Sequence, residues 1–140
     1  MGKVNLGRVI LGGLLAGLVI NISEFVLNTF VVGADMEAAM KALNRPPIDN
    51  QMIAWFVVAG FALGILAVWM YAAIRPRFGP GVRTAVFGAL AVYFLAYAYP
   101  TVFVAAMGFF PARSVIIGLC WGVPEIVIAS IAGAWAYTEA

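Results

Sequence analysis

Residues 9–34 read VILGGLLAGLVINISEFVLNTFVVGA, a stretch whose single charge is Glu24. About 20 apolar residues of helix cross a hydrocarbon core of roughly 30 Å, so this run is long enough to span a bilayer. Three more such runs follow. Residues 52–74 and 84–112 carry no charge, and residues 114–138 carry only Glu125. With 65% hydrophobic and 10% charged residues and a mean hydropathy of +1.05, the chain has too little polar surface to coat a soluble globule. The expected fold is therefore all-α. It is a four-helix transmembrane bundle forming one domain over residues 1–140, with helices near 6–33, 51–75, 82–109 and 112–138. A bundle this thin buries little of its own surface, so a homo-oligomer or a subunit of a larger membrane complex is expected, embedded in membrane lipid.

The first run is expected to stay in the mature protein. Lys3 and Arg8 precede it as in a secretory signal, but it outlasts a signal core and no small-residue cleavage pattern follows Ile20. The start Met1-Gly2-Lys3-Val4-Asn5-Leu6 lacks the Ser or Thr that myristoylation prefers. Lys3, Arg8, Arg75, Arg77 and Arg83 outweigh Lys41, Arg45 and Arg113, which predicts both termini inside. These charges bracket helices and form no basic face, so no nucleic-acid partner is expected. Trp55 at one end of the second helix, with Trp69 and Tyr71 at the other, fits aromatic belts, and Trp121 and Trp135 read as belt or lipid-facing residues.

The connections differ in kind. Residues 75–81, RPRFGPG, read as a Pro/Gly turn that stops the second helix sharply. Between Ala34 and Leu43, Met36, Ala39, Met40 and Leu43 recur at helical spacing while Asp35, Glu37 and Lys41 fall elsewhere. That pattern predicts a short amphipathic interfacial helix between the first and second spans, serving as a cap over the bundle in preference to a mobile gate.

Two stripes carry the polar groups. Gly13, Gly17, Asn21, Glu24 and Asn28 share one face of the first helix, and Gly118, Gly122 and Glu125 share one face of the fourth. Small residues let backbones approach in hydrocarbon, so the two faces are expected to meet across a seam between the first and last helices. Gly60 and Gly64 mark a further packing contact, within the bundle or between protomers. The third helix adds Tyr93, Tyr97 and Thr101, with Pro100 placed to kink it. Depths measured from Arg8 and Arg113 put Glu24 and Glu125 roughly 10 Å apart in level, which would require water or Asn21 to bridge them.

A carboxylate at the membrane centre costs on the order of 2.5–3.5 kcal/mol, and no Lys, Arg or His lies in the four apolar runs to neutralise it. Each Glu must be protonated, hydrated or paired with a cation. One reading is a small proton- or cation-coupled transporter or channel, with an ion or proton site of Glu24, Glu125, Asn21, Asn28 and Tyr97. The other is a non-catalytic accessory or assembly subunit in which each Glu is a neutral interhelical hydrogen-bond donor. Enzymatic chemistry is not expected. With no His there is no imidazole metal cluster or Ser/His/Asp relay, and the lone Cys120 supports no disulfide redox pair. No cofactor or metal is implied.

The chain's size, its amphipathic first connection, Phe110-Pro-Ala-Arg-Ser114 leading into the fourth helix and the small-residue ending Ile131-Ala-Gly-Ala-Trp135 carry a resemblance. The chain resembles uncharacterised small bacterial four-helix integral membrane proteins, a domain of unknown function. The resemblance implies the fold and a bacterial inner-membrane location, and it transfers no activity or site residue.

Overall fold

The computed structural model describes residues 3–139, all helical or connecting; the expectation concerning Met1 and Gly2 lies outside them. Helix α1 (Leu6–Val26) starts where the Asn5 side chain accepts a 3.1 Å hydrogen bond from the Arg8 N–H, which satisfies one orphan donor of the first turn. It continues into a π-helical turn, Leu27–Val31. The interfacial helix α2 is Gly33–Ala42. Helix α3 (Asn50–Phe78) is capped by Asp49, which accepts from the Met52 N–H at 2.8 Å. The third span is broken in two, α4 (Val82–Tyr93) and α5 (Tyr99–Ala106), around a second π-helical turn at Phe94–Ala98. Helix α6 (Ala112–Ala136) completes the chain. Four of these helical bodies are long and apolar enough to cross a membrane, which makes the chain a multi-pass membrane protein.

The spans alternate in direction, and α1 packs against α3 and α6 while α4 packs against the same two. The expected seam between the first and last spans is present. Its closest approach is Gly12 against Gly133, where a Cβ on either residue would strike the other's carbonyl oxygen. On the other side of α1, Gly13 and Gly17 lie against Ile65, Phe61 and Gly64, so the Gly60 and Gly64 contact lies within the bundle. Around these glycines Val9, Ala16, Ile20, Val68, Ala89, Ile126 and Ala129 are almost fully buried. Small side chains and dispersion between close backbones hold this core, because lipid supplies little hydrophobic drive between helices.

Three expectations need correction. Helix α3 runs through Pro76 to Phe78 instead of stopping at Arg75. A proline in the last turn removes a single backbone bond, and the stop comes at Gly79, whose φ of +83° suits glycine and whose N–H closes on the Arg75 carbonyl at 2.8 Å. Tyr71 is not a belt residue, since it is 4% exposed. Its hydroxyl accepts from the Gly81 N–H at 3.2 Å and its ring meets Tyr137 edge-on. Trp121 is partly buried and bonded into the bundle, as described below. Trp55, Trp69 and Trp135 do face outward.

Candidate functional site

The two π-helical turns face each other across a cavity of about 280 Å³ at the end of the bundle that carries α2. A π turn inserts one residue into a helix and is often retained where a side chain must be re-aimed. Here one turn contributes Leu27 and Asn28 to the wall, and the other contributes Ala96 and Tyr97. Pro100 follows the second turn. It has no N–H to return to Ala96, so the Ala96 carbonyl loses its α-helical partner beside the cavity. The Thr101 hydroxyl donates to the Tyr97 carbonyl at 2.7 Å, satisfying another acceptor of the widened turn.

Glu24 lies on the wall of this cavity. The Asn28 amide donates 2.8 Å bonds to the Glu24 Oε2 and to the Glu24 carbonyl, holding the side chain along its own helix. Behind Glu24 sits Glu125, 9% exposed. The Glu24 carboxyl and the Ser23 hydroxyl are side-chain neighbours of the Glu125 carboxyl. Tyr97 is a neighbour of both carboxyls. The Glu125 Oε2 has no partner among the described residues.

This proximity corrects the depth estimate made from the flanking arginines. The antiparallel register of α1 and α6 is set by Gly12 against Gly133 and by Ser23 against Trp121. That register puts residues near Ile20 opposite Glu125, so the two acidic residues are about one helical turn apart in level, roughly 6 Å. Two glutamate side chains close such a gap without water or Asn21 between them. The arginine-based estimate failed because Arg8 and Arg113 do not lie on the two faces of a slab 20 residues thick.

Asn21 is placed elsewhere. Its amide rests on Gly60 and donates to the Gly17 carbonyl at 2.9 Å and to the Val57 carbonyl at 3.2 Å, which makes it part of the α1–α3 contact. Gly118 and Gly122 serve the site differently from the other glycines. They let the tyrosines lie against α6: a Cβ on Gly118 would meet the Tyr97 hydroxyl at 3.0 Å, and one on Gly122 would meet the Tyr93 ring at 2.8 Å. The Tyr93 hydroxyl donates to the Leu119 carbonyl at 2.6 Å, which leaves the Tyr97 hydroxyl as the phenol beside the acids.

Sequence reasoning did not single out Ser23 or Trp121. The Trp121 indole N–H donates to the Ser23 hydroxyl at 2.8 Å, which holds that hydroxyl beside Glu125. The signal available was the adjacency of Ser23 to Glu24 and the position of Trp121 one turn before Glu125. It is weak, because each residue is common in apolar helices.

Helix α2 roofs the cavity through Val32 at its start and Met36 within it. It is tied to α6 by Asp35, whose Oδ2 accepts from Arg113 Nη1 at 3.1 Å and from the Ser114 hydroxyl at 2.7 Å. A second cavity of about 310 Å³ shares Asn28 and Met36 with the first and reaches Glu37, Pro47 and Ile48 under the loop after α2. In the other direction, past Glu125, Ile126, Ala129 and Ile20 are closely packed. Among the described residues no three His, Cys, Asp or Glu side chains gather to hold a metal ion. Compared with protein-family models, curated proteins and solved structures, the chain matches none.

Proposed function

We propose that the chain is a small proton- or cation-coupled transporter or channel whose exchange site is the Glu24–Glu125 pair. The observation that carries this reading is the proximity of the two carboxyls, Glu24 on the wall of a cavity and Glu125 buried beside it with one oxygen unpartnered. Two carboxylates in contact repel, and the apolar runs hold no basic residue to balance them. The pair therefore keeps a proton or takes a cation. An intramembrane ionisable group of this kind marks a functional site by default.

The first cavity reaches Glu24 from the α2 end, the second adjoins it through Asn28 and Met36, and the packed core around Ile20 and Ile126 closes the opposite end. This is the arrangement of a site open to one side of a membrane. The charge bias favours α2 outside and both termini inside, and the resemblance in layout to small bacterial membrane proteins supports a bacterial inner-membrane location. Fusions of a periplasm-active and a cytoplasm-active reporter to the C-terminus test the orientation; activity of the periplasmic reporter overturns it.

The functional test uses proteoliposomes loaded with a pH-sensitive dye. Wild-type protein is expected to dissipate an imposed proton gradient, alone or with a counter-cation, and Glu125→Gln is expected to remove at least nine-tenths of that flux, about 1.4 kcal/mol or more. Equal flux from wild-type and empty vesicles, with the protein shown to be folded, rejects the transport reading.

One observation favours the second reading, a non-catalytic accessory or assembly subunit. Helix α5 has no buried residue, and Phe94, Leu95, Tyr99, Val102 and Phe103 are each more than half exposed. Such a face suits lipid, and it also suits a second copy of the chain. Crosslinking through a cysteine placed at Val102, in a Cys120→Ser background, distinguishes the two.

A further inference from the structure

The cavity beside the acid pair is more than an ion path would need. Its volume is about 280 Å³, room for roughly nine waters at ~30 Å³ each and close to the lower end of small-molecule sites, about 300–1,000 Å³. Most of its wall is apolar. Met36, Val104, Phe110 and Val115 are apolar parts of the wall, while Glu24, Asn28 and Tyr97 bring side-chain oxygens to it. Thr101 and Ser114, also on the wall, spend their hydroxyl protons on the Tyr97 carbonyl and on Asp35. A bare metal ion needs several oxygens closing around it, and among the described residues no three His, Cys, Asp or Glu side chains gather to supply them.

Resting on the reading of the acid pair as an exchange site, we infer that the substrate is a small organic cation: an ammonium or similar group attached to an apolar body of about ten heavy atoms. The cationic head lies against Glu24 and the face of Tyr97, where carboxylate charge and ring quadrupole both attract it. The apolar body fills the space between Met36, Phe110 and Val115. Behind the head, the unpartnered Glu125 oxygen supplies the second charge. Binding breaks one carboxyl O–H bond of the pair; the proton leaves to bulk water through the cavity, and the freed electron pair stays on the carboxylate facing the cation. Charge is conserved, one cation entering as one proton departs. Glu37, on the wall of the adjoining cavity, adds an acidic approach that favours cations over anions.

The test is calorimetric titration of the purified, detergent-solubilised chain with benzyltrimethylammonium in two buffers of different ionisation enthalpy. Benzenesulfonate and sodium chloride serve as comparison ligands. Expected are saturable binding of benzyltrimethylammonium, release of about one proton per site, and no binding of benzenesulfonate. Glu24→Gln and Glu125→Gln, each confirmed folded by circular dichroism, are expected to weaken binding at least tenfold and to abolish proton release. If sodium displaces the proton and benzyltrimethylammonium does not bind, the organic-cation assignment is overturned while the exchange site stands. If neither cation releases a proton, both readings fall. Binding that is unchanged in both Gln variants is micelle partitioning, and it too overturns the proposal.

Discussion

Gly12 and Gly133 stand face to face where α1 crosses α6, with no side chain between the two backbones. That contact sets the register of the seam, and the register brings Glu24 within reach of Glu125. A packing contact thus decides the chemistry about two to three turns away.

Substitution at this crossing should therefore act on stability and site together. A Cβ on Gly133 would overlap Val68 and approach the Gly12 carbonyl and Ala16, and overpacking of this kind costs about 1–3 kcal/mol. Gly133→Val is expected to lower the midpoint of thermal unfolding in detergent clearly and to reduce proton flux. An unchanged midpoint would mean that this crossing does not hold the seam.

The bond from Trp121 to Ser23 should behave as a coupled pair. Trp121→Phe and Ser23→Ala each remove one end of a 2.8 Å hydrogen bond, with an expected loss of about 0.5–1.5 kcal/mol apiece. The double variant should lose less than the two together, because the second substitution has no bond left to break. Strict additivity in a double-mutant cycle argues that the bond does not form in the membrane.

The tether of α2 should be local. Arg113 is 71% exposed in its side chain, and exposed ion pairs contribute about 0–1 kcal/mol. The bond from Ser114, which is buried, adds to this. Asp35→Asn is expected to speed amide exchange over residues 33–42 and widen access to the cavity, with little change in the global unfolding midpoint. A large global loss would mean that α2 is part of the core.

Gly118 and Gly122 should separate function from stability. At Gly122 an added methyl meets a Tyr93 ring whose hydroxyl is anchored on Leu119, so Gly122→Ala is expected to cost about 1–3 kcal/mol. At Gly118 the neighbour is the free end of the Tyr97 side chain, beside the cavity, which can swing aside. Gly118→Ala is expected to keep the unfolding midpoint and to lower flux or cation affinity several-fold. The reverse order of effects, read from melting curves and flux assays on the two variants, would contradict this geometry.

The four spans and the amphipathic connection were legible because hydropathy is a local property: the cost of placing a residue in hydrocarbon depends little on its neighbours in the fold. The Gly-Gly faces of α1 and α3 were legible for the same reason, since periodicity places residues on a face. Which face met which was not. Periodicity assigned Asn21 to the stripe of Glu24, yet its amide found an acceptor at Val57 on α3. It gave no warning that Trp121 would turn inward to Ser23, or that two π-helical turns would re-aim Asn28 and Tyr97.

The linear chain thus determined that two acids lie in an apolar interior without a basic partner, for the counts and positions of charges require nothing beyond the order of residues. Only the tertiary structure decided that the acids touch. Their separation depends on how far α6 slides along α1, and that distance is set by the backbone contact of two glycines, which no one-dimensional pattern encodes.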